Sequence, residues 1–387
     1  MKKIAIVANS TWNIYNFRLN LIRQFRSKGY RVIVIAPIDE YIHYLNESHF
    51  TKHISLTHLS PQSRNPFKDI LLVRELYKIY KREKPDLVLH YTIKPNIYGS
   101  IAARLAGIPC ISTVTGLGYT FLNRGASTGL IKSLYRFAFQ KNRKVIFHNH
   151  DDQRLFIQQK LIDETASQVI KGSGVNTNFF RPIKPKIEEE KFIFIFVGRL
   201  LYDKGIVEFI QAAIQVRQII KNAECWVVGE LSPKNPSNIP KKKLLQWVEN
   251  RYIRYWGATK DIRLFLKKAD VLVLPSYREG MPRAVLEAMA MGKPIITSDT
   301  AGCKEAVDHD VNGYLVPVRD PLSLAEAMVN IYNLDQEDLD RMGQESRQKV
   351  LNEFDEKIIN QKYLELIQEI FEEEKIFPSS VRNKKLT

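Results

Sequence analysis

"DVLVLPSYREGMPRAVLEAMAMGKPIITSD", residues 270–299, runs from one apolar segment to another through a turn and an Ala/Met/Leu-rich stretch. The unbroken run Val271–Leu274 has the pattern of a parallel strand covered on both faces. Pro282 suits a first helical position, and Gly292 followed by Pro294 ends the helix that it opens. Strand, turn, helix and strand in this order make a βαβ unit, which requires a parallel sheet. Glu279, Gly280 and Met281 then fall where a strand's carboxyl end meets a helix N-terminus, the ligand position of open α/β sheets. Gly280 lets a ligand approach the chain closely, and free backbone N–H groups there can face anionic or hydroxyl groups. Glu287 lies two turns in, within about 7–9 Å of axial rise, so the two carboxylates can serve two hydroxylated rings of one ligand, a sugar and a ribose. The competing reading makes Glu279 a helix-dipole partner and Glu287 a solvated surface residue.

The same alternation of short apolar runs with helical patterns extends over the chain. In the first half the strands expected are 3–8, 31–37, 86–91, 109–115 and 144–149, with helices over Asn16–Lys28, Phe67–Lys81 and Pro95–Ala106. In the second half they are 191–200, 224–230, 251–259, 270–276, 293–299 and 313–318, with a polar loop over 231–243. The segment "RPIKPKIEEEK" (181–191) reads as a linker. Two Rossmann-like domains facing a cleft follow, 1–184 and 185–354, with a helix and basic tail over 355–387. On that last helix Ile358, Ile359, Tyr363, Leu366, Ile367, Ile370 and Phe371 share a face.

Composition narrows the function. No apolar run reaches the roughly 20 residues of a membrane span. The short apolar stretch of "MKKIAIVANSTWN" (1–13) reads as a first buried strand and not as an export signal, which points to the cytoplasm. Cys110, Cys225 and Cys303 are scattered without paired spacing, which gives no sign of a disulfide framework or zinc site. Residues 1–184 hold 28 Lys/Arg against 11 Asp/Glu, a surplus of 17, while 185–387 hold 30 against 31. The whole excess of +16 therefore lies in the first half, which should meet something anionic.

A second chemistry-bearing stretch is "FVGRLLYDKGI" (196–206). An apolar strand ends at Gly198, and Arg199 and Lys204 follow. A planar guanidinium and a compact ammonium there can neutralise a diphosphate, although exposed loop cations are more often only solvated. The first half's equivalent loop, "ANSTWNIYN" (8–16), contains no glycine and suits an acceptor site better than a phosphate cradle.

"GRLLYDKG" followed by "PSYREGMPRAVLEAMAMGKPIITSDTAGCKEAVDHDVNGYLVPVRD" resembles the retaining glycosyltransferases of family 4, which have the α/β, two-Rossmann GT-B fold. "HYTIKPNIYGSIAARLAGIP" and "TVTGLGYTF" extend the likeness along nearly the whole chain, closest to members that build bacterial surface polysaccharides or glycans on polyprenyl diphosphate. The resemblance implies that Arg199 and Lys204 hold the donor's diphosphate, as catalytic residues with Glu279, which contacts the donor sugar. It implies that Glu287 holds the nucleotide ribose, that Gly198 and the backbone of Gly280, Met281 and Pro282 lie against the donor, and that the last helix crosses back to the first domain. It implies no metal and no cofactor, the nucleotide-sugar being a substrate. Many members carry a histidine where this sequence reads Thr115-Gly116-Leu117-Gly118. No base is assigned there, and Thr115, Gly116 and His90 remain acceptor-side candidates, with a buried structural role as the alternative for His90. "HNH" (148–150) would suit a metal only with a third ligand.

The stretch 118–144 interleaves aromatic and aliphatic residues with six cations, as a helix lying in a membrane interface would; a core-packing helix with a basic outer face gives the same pattern. The expected partners are a nucleotide-sugar, expected to be UDP-linked, a polyprenyl-diphosphate-linked saccharide, and the anionic inner face of the cell membrane, with no nucleic acid. A UDP-sugar 2-epimerase on the same fold and a basic nucleic-acid-binding protein are the competing readings.

Overall fold

The computed structural model describes residues 1–45, 52–60, 65–117, 126–183 and 191–376. A first parallel sheet has the order β3-β2-β1-β4-β5-β6-β7, built from Lys3–Val7 (β1), Arg31–Ile35 (β2), Lys52–Ile54 (β3), Leu87–Tyr91 (β4), Cys110–Val114 (β5), Lys144–Phe147 (β6) and Ser167–Val169 (β7). A second has the order β10-β9-β8-β11-β12-β13, from Phe192–Val197 (β8), Ala223–Val228 (β9), Arg254–Tyr255 (β10), Val271–Leu274 (β11), Ile295–Ser298 (β12) and Gly313–Val316 (β13). Strand order reverses between β1 and β4 in one sheet and between β8 and β11 in the other, the crevices where such sheets take ligands.

Several elements differ from the sequence expectation, among them β3 and β7, which no expected strand covers. The first helix, α1, spans Thr11–Ser27 and so starts five residues early, because Ser10 caps it: the Ser10 hydroxyl accepts from the Asn13 N–H at 3.0 Å. Pro282 is the N-cap and not the first helical residue of its helix, Arg283–Ala290. The strand expected over 251–259 is only Arg254–Tyr255, since it pairs with β9 alone and lies between left-handed residues Arg251 and Gly257. The linker residues 184–190 lie outside the described residues.

The final helix, Glu356–Ile376, belongs physically to the first half. Ile359, Tyr363, Leu366, Ile367, Ile370 and Phe371 share a buried cluster with Ile4 and Ile6 of β1, Leu87 of β4 and Leu21 and Phe25 of α1. The chain returns beside its outward crossing. The Val175 N–H donates to the Phe354 carbonyl at 2.9 Å, and the Glu356 N–H to the Val175 carbonyl at 3.0 Å. Arg347 fastens this crossing by donating to the carbonyls of Thr177, Phe180 and Ala290 at 3.0, 2.9 and 2.6 Å.

Candidate functional site

The second-domain wall is made by two strand exits. Beyond β8, Gly198 and Arg199 turn outward, and Tyr202–Lys204 make one tight turn ending at Gly205, whose φ of +70° is left-handed. A Cβ on Gly205 would overlap the Pro275 carbonyl, so only glycine lets the loop after β8 lie against the loop after β11. That contact brings the Lys204 ammonium onto the Glu279 carboxylate as an ion pair, and the Ser276 hydroxyl donates to the same carboxylate oxygen at 2.8 Å. Both side chains are mostly buried, and the pair faces the cleft.

The first domain meets this wall directly. Gly280 packs on the carbonyl of Thr115, leaving no room for a Cβ, and Gly116 beside it has a φ of +135°. Asn149 ties the seam: its amide donates to the carbonyls of Gly280 at 2.8 Å and Glu279 at 3.3 Å. The other end of the Asn149 side chain accepts from the Asp152 N–H and caps the helix His150–Gln158. The carboxylate of Asp152, itself fully buried, pairs with Arg278; burial nevertheless pushes that carboxyl group up. Arg283 donates to the Asn16 carbonyl and stands over the Phe17 ring at 5.2 Å.

Between the walls lies a cleft of about 840 Å³. Gly198, Arg199, Lys204, Glu279, Met281 and Pro282 line it from the second domain and Thr115 from the first, while Gly280 and Gly116 form the seam beneath. Glu287 does not line it. Its side chain is 15 % exposed and accepts from Arg283 Nε at 2.8 Å, so Arg283 occupies the cleft in its place; burial raises the Glu287 carboxyl. His90 is not at the cleft either. It is wholly buried, its Nε2 is 2.9 Å from the Tyr80 hydroxyl, and burial lowers its imidazole to about 3, which is the structural role and not an acceptor site.

The "HNH" reading fails on geometry. β6 ends at Phe147 and His150 already opens a helix, so His148 enters the cleft while exposed His150 points elsewhere, and no three His, Cys, Asp or Glu side chains gather for a metal among the described residues. Beyond the end of β9, Glu230 and Ser232 line the cleft, whereas Trp256, just after β10, packs edge-on against Trp226 at 5.2 Å, away from it. Sequence reasoning missed Arg18 and Arg283 and considered His148 and Asn149 only within a metal motif. Two of these had a signal: an arginine interrupting the apolar face Ile14, Leu21, Ile22, Phe25 of α1, and the i,i+4 spacing of Arg283 with Glu287.

The helix Ala126–Phe139 packs one face in the core and leaves apolar residues on the other exposed. Tyr135, Ala138 and Phe139 pack in the core beside β6, while Leu130 and Phe137 are exposed on its outer side; residues 118–125 lie outside the described residues. The three cysteines are buried and free, and burial pushes each thiol up to about 12.

The family described as "Glycosyl transferases group 1" matches residues 191–333, and "Glycosyl transferase 4-like" matches residues 3–149. The N,N'-diacetylbacillosaminyl-diphospho-undecaprenol alpha-1,3-N-acetylgalactosaminyltransferase of Campylobacter jejuni is 30% identical over 380 residues, covering 94% of this chain and 98% of that protein. The UDP-Gal:alpha-D-GlcNAc-diphosphoundecaprenol alpha-1,3-galactosyltransferase of Escherichia coli is 32% identical over 307 residues, covering 74% of this chain and 76% of its own length. Among solved structures, Anabaena HepE in complex with UDP superposes with a TM-score of 0.78 at 22% identity, covering 95% of this chain and 100% of its own.

Proposed function

Because this chain belongs to the group 1, 4-like glycosyl transferases, we propose that it moves a hexose from a UDP-linked donor to a saccharide carried on polyprenyl diphosphate, with retention and without a metal. The observation that carries the reading is the convergence of Arg199, Lys204 and Glu279 on one cleft wall, opposite the loop at Thr115. The Campylobacter and Escherichia coli relatives, both named for transfer to undecaprenyl-diphosphate-linked sugars, support the acceptor class.

In this mechanism the bond from the anomeric carbon to the donor's phosphate oxygen breaks, and negative charge builds on the departing diphosphate. Arg199 and Lys204 oppose that charge, and it is larger in the transition state than in the bound substrate, so they lower the barrier. Arrival of the diphosphate draws Lys204 from Glu279 and frees that carboxylate for the sugar's hydroxyls. The acceptor hydroxyl attacks from the same face, and its proton passes to the departing phosphate oxygen, so the absence of a histidine at Thr115 costs no step. Glu287 reaches a ribose only when Arg283 swings off it, which opening of the seam at Asn16 allows.

No helix among the described residues is long and apolar enough to cross a membrane. Exposed Leu130 and Phe137, together with Phe67, Ile70 and Leu71 on the helix Pro66–Glu83, belong to the half that carries the positive excess, which supports docking on the anionic inner leaflet. Binding to anionic vesicles at low salt tests this, and no flotation with them would end it.

The decisive experiment is a screen of UDP-sugars with a lipid-linked monosaccharide acceptor, followed by NMR of the new linkage. Transfer with the donor's anomeric configuration kept is expected. An inverted product would overturn retention, and stabilisation by oligonucleotide with none by UDP would favour the nucleic-acid reading.

A further inference from the structure

The first-domain wall contains an arginine that no carboxylate among the described residues neutralises. Arg18, two turns into α1, is 3 % exposed and lines the cleft. It has no ion pair with any described carboxylate, and its Nε has no hydrogen-bond partner. Its guanidinium carbon lies 3.8 Å from the ring centre of Tyr91. Burying a guanidinium without an anion is costly, and one aromatic face returns only part of the hydration lost. Beside it His148, 5 % exposed, also lines the cleft with Nε2 unpartnered. Both groups stand on the first domain, across the cleft from Arg199 and Lys204.

We propose that Arg18, with His148 next to it, is the first domain's receptor for a substrate phosphate, completed only when that anion arrives. The inference rests on the transferase reading and sharpens it: a second phosphate site stands opposite the pair assigned to the donor. A planar guanidinium suits two phosphate oxygens at once, and a neutral imidazole N–H can donate to a third. Burial and the nearby Arg18 charge lower the His148 imidazole to about 3, so it enters the site uncharged and adds no second cation to the cost. An acceptor whose first sugar is linked directly to diphosphate would bring such an anion within one hexose of the reacting hydroxyl. The donor diphosphate is the other source of the same chemistry.

The test uses the full chain as wild type, Arg18→Met and Arg18→Lys, with retained thermal unfolding as the check on folding. Each is titrated by calorimetry with UDP and, separately, with geranyl diphosphate, a soluble prenyl diphosphate. A tenfold or greater loss in Arg18→Met, partly restored in Arg18→Lys, supports the proposal. A loss confined to geranyl diphosphate assigns the acceptor's phosphate, and one confined to UDP assigns the donor's. In wild type the His148 ring resonance moves on addition of the ligand that Arg18 holds, and in Arg18→Met it does not. Unchanged binding of both ligands by folded Arg18→Met, or no binding of either by wild type, overturns it. If wild type binds geranyl diphosphate yet transfers no sugar to a prenyl-diphosphate saccharide, the acceptor assignment fails while the phosphate site stands.

Discussion

Lys204 and Glu279 neutralise each other across two loops, so each is held ready at the cleft wall without a ligand. Lys204→Ala should cut kcat by about 10²–10³-fold, the scale for losing one preorganised electrostatic contact. Glu279→Gln should fall similarly, with thermal unfolding of both variants as the check that the mostly buried pair is not needed for folding. Steady-state kinetics beside melting curves decide the matter, and normal turnover in either variant removes that residue from the chemistry. Gly280→Ala tests the seam: its methyl group would overlap the Thr115 carbonyl and force the domains apart, so activity should drop while each domain stays folded. At this scale the second-domain residues were legible because a strand exit, a glycine and a charge occur together in a few consecutive residues. Arg18 and His148 were not, since they meet only when α1 packs on the sheet in which β6, far away in sequence, lies two strands from β4.

Asn149 shows how one side chain links an element to its neighbours. It caps the helix His150–Gln158 with one end and holds the loop at Glu279 with the other. Asn149→Ala should therefore destabilise by about 1–2 kcal/mol, the range for a lost cap. Asn149→Ser should recover most of that stability but not activity, because serine caps but is too short to cross the seam. Urea unfolding and kcat on the same two variants check it. Most strands were visible as apolar runs, whereas β3 and β7, three residues each and only partly buried, were not. The early start of α1 was hidden in a serine whose capping role depends on its backbone being extended.

For the molecule as a whole, two buried histidines make stability depend on pH in a defined direction. His90 and His148 are each lowered to about 3 by burial, while an unfolded histidine protonates near its ordinary 6.5. Around and between those values the unfolded chain binds more protons, so stability falls as pH drops from about 7.5 toward 3 and is unaffected by them at higher pH. Each should cost about 1 kcal/mol between pH 6.5 and 5.5. Denaturant titrations at the two pH values measure it, and a His148→Gln variant should show about half the slope. Tyr363→Ala, a fully buried residue against β4 and β5, should cost about 3–5 kcal/mol, read from its unfolding midpoint.

The helix that covers β1 and β4 is made long after them. A ribosome will have released the first sheet, bare along the face of Ile4, Ile6, Leu87 and Leu89, while Ile359 to Phe371 are still untranslated. That face must wait, shielded by α1 alone, through synthesis of the entire second domain, so the nascent first domain is the stage at which chaperone engagement or aggregation should be greatest.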